Sequence, residues 1–364
     1  MQEEYKPVSI NSIVNYSDNQ NIQKILSYYS IIPDEVVKIR SVYKIKYRNK
    51  YYCLKKLNHP NNKVSNGKKL VDILNSRGFY NTAIYIPTND GRNCVRHKNK
   101  AYYITNWIDG RECKIDDFEE LKKAISLLAT FHIKSSMINT KELKLEGPKN
   151  WIEELKKQQN DIENYKRIIS NKKILTSFDK LYLRYIDDFN HHLNLSIELL
   201  MKSNYLSMRD SVMTKHTICH DSYYYQNILV DSNGKLYIID LESILYDVHV
   251  YDIAKFIRRI MYKKSYAWNF NYVKELIYEY DKISKLTKED LEVLLAFLIV
   301  PHKFWKLGKK RYVKKKKWSE DKYLKKLYKY IKYIDKKNEF IKIYCDFYEL
   351  NMWMSSIYYS FFLT

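Results

Sequence analysis

The stretch Thr217-Ile218-Cys219-His220-Asp221-Ser222-Tyr223-Tyr224-Tyr225-Gln226-Asn227, continued by Ile228-Leu229-Val230, Asp231-Ser232-Asn233-Gly234 and Lys235-Leu236-Tyr237-Ile238-Ile239-Asp240-Leu241-Glu242, decides the reading of this chain. It places His220 and Asp221 ahead of Asn227 on a short loop. Two apolar runs follow, Ile228 to Val230 and Leu236 to Ile239, and the turn-forming residues 231–234 between them make the pair a hairpin. The second run ends on Asp240, with Glu242 two residues on. A carboxylate closing an apolar strand cannot be buried alone; it needs a metal, a cation or backbone donors. Kinase-type phosphoryl transfer uses this order of groups. One loop sets a carboxylate near the acceptor hydroxyl and an amide on the metal, and a second carboxylate, a hairpin away, grips the same metal.

Composition narrows the class. The chain has 364 residues, enough for one two-lobed unit or two domains. No run of about 18 apolar residues predicts a membrane span. The opening residues Met1 to Lys6 lack the basic and then apolar order of a secretory signal. Cys53, Cys94, Cys113, Cys219 and Cys345 are odd in number, widely spaced and free of any CxxC pair. They read as reduced thiols of a cytosolic protein, with neither a disulfide framework nor a zinc site. The net charge of +22 raises the question of nucleic acid, and Lys309 to Lys317 is the densest basic run. Its lysines continue through Lys322, Lys325, Lys326, Lys329 and Lys332, interleaved with Leu324, Leu327, Tyr328 and Ile331 at helical spacing. That is the pattern of a solvated helix face, so a nucleic-acid partner is not expected. Tyrosine, at 36 residues, is unusually abundant; it suits a protein packed into an assembly, because it supplies large amphipathic contact area.

Outward from the central stretch, residues 41–57 alternate apolar and polar side chains around Arg48-Asn49-Lys50, which predicts a hairpin. Residues 63–77 read as a short helix ending at Gly78. Strand candidates follow at Cys94–Val95 and Ala101–Thr105. From Asp117 the periodicity turns helical, with Phe118, Leu121, Ala124, Ile125, Leu128, Ala129 and His132 on one face. Residues 150–203 are helical in pattern, and Leu291–Ile299 and Tyr344–Phe362 read as core helices. A small β-rich lobe over 1–107, a one-segment hinge near 106–110 and a helical lobe over 108–364, which includes the loop region 217–254, follow from this order.

Several stretches carry a family resemblance: Gly78-Phe79 leading to Ile86-Pro87-Thr88, Tyr102-Tyr103, Trp107-Ile108-Asp109-Gly110-Arg111-Glu112-Cys113, Leu128-Ala129-Thr130-Phe131-His132, Cys219-His220 to Asn227, Ile239 to Glu242, Asp247 to Asp252, and Pro301-His302-Lys303-Phe304-Trp305. On these residues the chain resembles the spore coat proteins of the CotS type, which are similar in turn to the aminoglycoside phosphotransferase and choline kinase fold group. The resemblance implies an α+β, bilobal, protein-kinase-like fold. It also implies ATP and Mg²⁺ as cofactors and other spore coat proteins as partners. It points to synthesis in the mother-cell cytoplasm and deposition in the endospore coat. A structural or assembly role with ATP·Mg binding is the function implied; an active phosphotransferase with a small-molecule acceptor is the alternative.

Residue by residue, the resemblance implies that Asp240 and Asn227 bind the metal, with Glu242 either supporting it or facing solvent. Lys55, on the second hairpin strand, matches the lysine that holds the α/β-phosphates, while Lys56 alternates to the other face. Its usual glutamate partner on the next helix is missing, Asp72 being the one acid there, and no glycine-rich loop precedes it. The fold group's loop reads His-x-Asp-x-x-x-x-Asn. Here Ser222 stands in the Asp position and Asp221 one residue earlier. Either a one-residue bulge restores Asp221 as base, or Ser222 fills the slot and no carboxylate base is present. His220 reads as a packing residue of that loop, and Asp252 as a helix N-cap. Trp107 reads as a core aromatic, and Arg111 and Glu112 as cleft residues or partners of each other.

Overall fold

The computed structural model describes residues 16–57, 62–138 and 143–350, and its contacts divide the chain into two units. The first comprises Met1–Cys113, Ile138–Leu145 and Tyr225–Ile244; the second comprises Lys114–Met137, Glu146–Tyr224 and Leu245–Thr364. The stretch 217–254 is therefore shared between them.

The first unit is built on an antiparallel sheet in the order Glu35–Ile39, Val42–Tyr47, Lys50–Leu57, Lys100–Asn106, Tyr85–Ile86, with Val95–His97 also paired to Lys100–Asn106. The expected hairpin turns at Arg48 and Asn49, whose positive φ values of 46° and 58° suit the right-handed twist of the flanking strands. One sheet face buries Tyr43, Ile45, Leu54, Val95, Tyr102 and Ile104 against Ile22, Ile25, Leu26 and Tyr29. Those four lie on and just after the helix Tyr16–Ser27, which the sequence reading passed over despite its i, i+3, i+4, i+7 spacing. The helix Asn62–Ser76 buries Val64, Leu70, Val71 and Leu74 and ends before Gly78, at φ 77°.

The hairpin of Ile228–Val230 and Leu236–Ile238 joins Arg111–Glu112 in a second, three-stranded sheet. Asn81 ties it down: its carbonyl accepts from the Ile238 N–H at 2.8 Å and its side chain donates to Leu236 O at 2.7 Å. Gly110 is needed here, because a Cβ would lie 2.7 Å from Val230 O.

Among its described residues the second unit is helical, apart from the paired two-residue strands Ile218–Cys219 and Leu245–Tyr246. Asp117 caps Phe118–Ser135 by accepting from the Glu120 N–H. The span 150–203 forms Trp151–Ser170, Ser177–Arg184 and Ile186–Lys202. Lys288–Ile299 is buried continuously from Glu292 onward, as suits a helix enclosed on every side. Of the expected terminal helix, Ile334–Phe347 covers the start; residues 351–362 lie outside the described residues. No helix among the described residues is long and apolar enough to cross a membrane.

Asp247 of this unit is fully buried and accepts from Trp151 Nε1 at 2.7 Å and from the Val248 N–H at 2.9 Å. Burial outweighs these bonds and pushes its carboxyl up from 3.8 to about 7. A raised folded-state value means that this group's contribution is greatest below pH 3.8 and is lost as pH rises through about 7. Asp247→Asn should therefore flatten the fall in stability across that window, read as urea midpoints at a series of pH values. An unchanged slope would assign the dependence to other groups.

Candidate functional site

Within the first unit, Lys55 pairs with Tyr103 across the sheet, on the face opposite the neighbouring Leu54–Ile104 pair. Lys56 is exposed on the other side. The Lys55 amine contacts Asp240 Oδ1. Burial works against its charge, but Glu242 and then Asp240 outweigh burial and hold the amine above its ordinary range. Asp240 follows the strand Leu236–Ile238 in the left-handed region, at φ 69° and ψ 45°, and opens the turn Leu241–Ser243. Such a backbone is uncommon outside glycine, and Asp and Asn tolerate it best. The Ile239 N–H donates to Asn227 O at 3.0 Å, so Asn227 and Asp240 flank the same end of the hairpin.

Glu242 does not face solvent; it is buried. The Tyr85 hydroxyl donates to its Oε1 at 2.8 Å, and the Tyr103 hydroxyl donates to the same oxygen. The two rings stack with centroids 5.4 Å apart. Burial, reinforced by Glu242, pushes both phenols well above their ordinary range, so both remain donors. The helix after the lysine strand offers no substitute, since Asp72 pairs with Lys68 at 2.6 Å on its exposed side. Gly67 explains why: a Cβ there would meet Tyr85 Oη at 2.5 Å and Leu241 O at 3.3 Å. The tyrosine hydroxyl fills the space that a side chain at this helix position would need. Gly67→Ala should accordingly cost about 1–3 kcal/mol by overpacking, measured by urea unfolding; an unchanged midpoint would mean that Tyr85 yields freely.

Within the second unit, the Asp221 backbone is also left-handed, at φ 61°. Its carboxylate pairs with Lys255 Nζ at 2.5 Å. The Ser222 hydroxyl lies 3.3 Å from His220 Nδ1, and its N–H donates to His220 O at 2.8 Å. The two candidate groups therefore diverge, Asp221 toward a lysine and Ser222 toward a buried imidazole.

Asp252 is not the expected N-cap. The helix His249–Met261 starts earlier, with Val248 at the cap, and Asp252 lies inside its first turn. Its carboxylate accepts from the His220 N–H at 2.5 Å and the Asp221 N–H at 3.0 Å, because loop amides buried without a strand partner need an acceptor. His132 Nε2 lies 3.3 Å from the same carboxylate and the Tyr280 hydroxyl 2.7 Å from Nδ1. Burial lowers His132 to about 3, so the neutral ring donates through Nε2 and accepts at Nδ1. Trp107 is only partly buried, with Lys44 over its ring at 4.8 Å, and Glu112 pairs with Arg40. Sequence reasoning missed Tyr85, Tyr103 and Lys255. Lys255 alone left a local signal, standing one helical turn after Asp252.

Comparison with known proteins bears on the fold. "Spore coat protein S" of Bacillus subtilis (strain 168) is 26% identical over 243 residues, 65% of this chain and 67% of that protein. The crystal structure of an aminoglycoside phosphotransferase from Alicyclobacillus acidocaldarius matches at TM-score 0.80 and 18% identity, over 90% of this chain and 96% of that one. Spectinomycin phosphotransferase in complex with ADP and spectinomycin matches at TM-score 0.62 and 13% identity, over 88% and 97%. The fold is thus the expected α+β, kinase-like one, with a small antiparallel-sheet region and a larger helical part. The model of the family described as "Spore coat putative kinase YutH" matches residues 22–344, and the chain belongs to that family.

Proposed function

We propose that this chain is a spore coat protein that binds ATP with Mg²⁺ through its first unit and serves a structural or assembly role among other coat proteins. One observation carries the reading: Lys55 is held charged by Asp240 and Glu242 beside the hairpin end that bears Asn227. The Asp240 carboxylate and the Asn227 amide are oxygen donors of the kind a hard divalent cation takes. When bound, Mg²⁺ neutralises charge on the nucleotide phosphates. Lys55 supplies the cation for the α/β-phosphates, and Glu242, fixed by two tyrosines, orients that lysine. The ADP bound by the spectinomycin phosphotransferase supports nucleotide binding in this fold. The coat name of the Bacillus subtilis relative supports synthesis in the mother cell and deposition in the coat. Calorimetric titration with ATP, in Mg²⁺ and again in a chelator, tests the reading. Binding should require Mg²⁺ and disappear in Lys55→Met; no heat at millimolar ATP would sink it.

A second reading, phosphoryl transfer to a small-molecule hydroxyl, is favoured by the Asp221 side chain, which is 33% exposed and fixed by Lys255. Asp221 takes the acceptor's proton as the acceptor oxygen bonds to phosphorus and ADP leaves. Asp221→Asn should then slow ADP release in the presence of acceptor by about 10²–10⁴, with Ser222→Ala nearly silent. If neither changes the rate, the loop holds no base.

A further inference from the structure

The second unit carries a cationic face outside the candidate site. Lys255, Arg258 and Arg259 share one side of the helix His249–Met261 by their i, i+3, i+4 spacing. Lys303 and Lys306 stand on His302–Gly308, and Lys326 and Lys329 on Glu320–Ile331. The three helices converge at Lys303, whose amine lies 4.4 Å from the centre of the Tyr262 ring and 5.9 Å from that of Tyr330, two rings that meet edge-on at 5.7 Å. After burial, the groups acting on Lys303 are Lys329, Arg258 and Arg259, and its amine is pushed down to about 7. Lys306 is lowered by burial and then by Lys310, Arg259, Lys255 and Arg258; Lys329 is lowered by burial and then by Lys263, Lys326 and Lys332. No carboxylate is among these influences. Two acids stand at the margins: Asp221 on Lys255 and Asp116 at 3.6 Å from Lys263.

Some lysines elsewhere pair instead with acids one helical turn away, as in Lys68–Asp72, Lys202–Glu198 and Lys285–Asp281. Clustered like charges repel, partial burial adds a loss of hydration, and both effects weaken the fold. Carboxylates from outside relieve both.

We propose that this face docks a carboxylate-rich segment of a partner polypeptide. Two of its rings are already covered by cations: Arg259 lies 4.0 Å over Tyr224, and Lys310, Lys322 and Lys326 lie 5.0, 4.9 and 5.4 Å from the centre of the Trp318 ring. Single-stranded nucleic acid binds by stacking bases on open ring faces, so the surface favours acidic side chains over bases. The inference is independent of nucleotide binding in the first unit.

Fluorescence anisotropy of the full chain with labelled poly-L-glutamate tests it, with single-stranded DNA of equal charge as the competitor class. Lys306→Glu and Lys329→Glu should each weaken poly-L-glutamate binding by about fivefold, the upper range for one exposed charge pair. Lys156→Glu, an equal charge change on the helix Trp151–Ser170, should change it by less than about twofold. Both face variants should melt at higher temperature than the parent, since repulsion is relieved, and their Mg·ATP affinity should be unchanged. Tighter binding of the DNA, equal weakening by Lys156→Glu, or lower melting of the face variants would each overturn the proposal.

Discussion

Asp240→Asn should abolish the stabilisation that the proposed nucleotide site predicts on addition of Mg·ATP. A ligand at a hundredfold its dissociation constant raises folding stability by about 2.7 kcal/mol, and that increment should vanish. The substitution separates charge from shape. Asn tolerates the left-handed backbone at position 240, φ 69°, nearly as well as Asp, and the charge of Glu242 still favours the Lys55 ammonium. The unliganded variant should therefore melt close to the parent while its response to nucleotide is lost. Melting curves with and without Mg·ATP decide the matter: an undiminished shift in Asp240→Asn would remove Asp240 from the nucleotide site.

The second large effect concerns stability alone. Asp252→Ala should cost about 3–5 kcal/mol, the range for stripping the partner from buried polar groups. Asp252 is fully buried and serves the His220 N–H, the Asp221 N–H and His132 Nε2 at once. Alanine leaves those donors in a site too enclosed for easy replacement by water. Asp252→Asn keeps one carbonyl oxygen and should cost less, so the order of urea midpoints is parent, then Asn, then Ala. A midpoint for Asp252→Ala within about 1 kcal/mol of the parent would mean that the loop finds other acceptors.

Local pattern made much of the molecule legible. Alternation over 41–57 placed Lys55 and Lys56 on opposite faces, and the apolar runs ending at Asp240 announced the hairpin. A run of side chains with period two or 3.6 reports its own burial, because neighbours in sequence share one surface. Some elements went unread, among them the helix Tyr16–Ser27, whose pattern is present but short, the strand Glu35–Ile39 and the helices Tyr205–Lys215 and Phe270–Asp281. The N-cap reading of Asp252 failed for a related reason: an acid near a helix start satisfies local rules equally well at the cap and inside the first turn, and the choice is made by loop amides 31 and 32 residues away.

The chain by itself proposed Asp240, Glu242, Asn227 and Lys55 as candidates, through the apolar runs that end at Asp240, the alternation over 41–57 and the family resemblance. Tertiary structure alone decided what those groups touch. Tyr85 and Tyr103 reach Glu242 across 157 and 139 residues of sequence, and Gly67 matters only because a hydroxyl from another strand occupies its side-chain space. Asp221 and Ser222 are neighbours in sequence, yet one turns to Lys255 and the other to His220. Hydrogen bonds and close packing depend on distances of a few ångströms, and only the folded chain sets those distances between residues far apart in sequence.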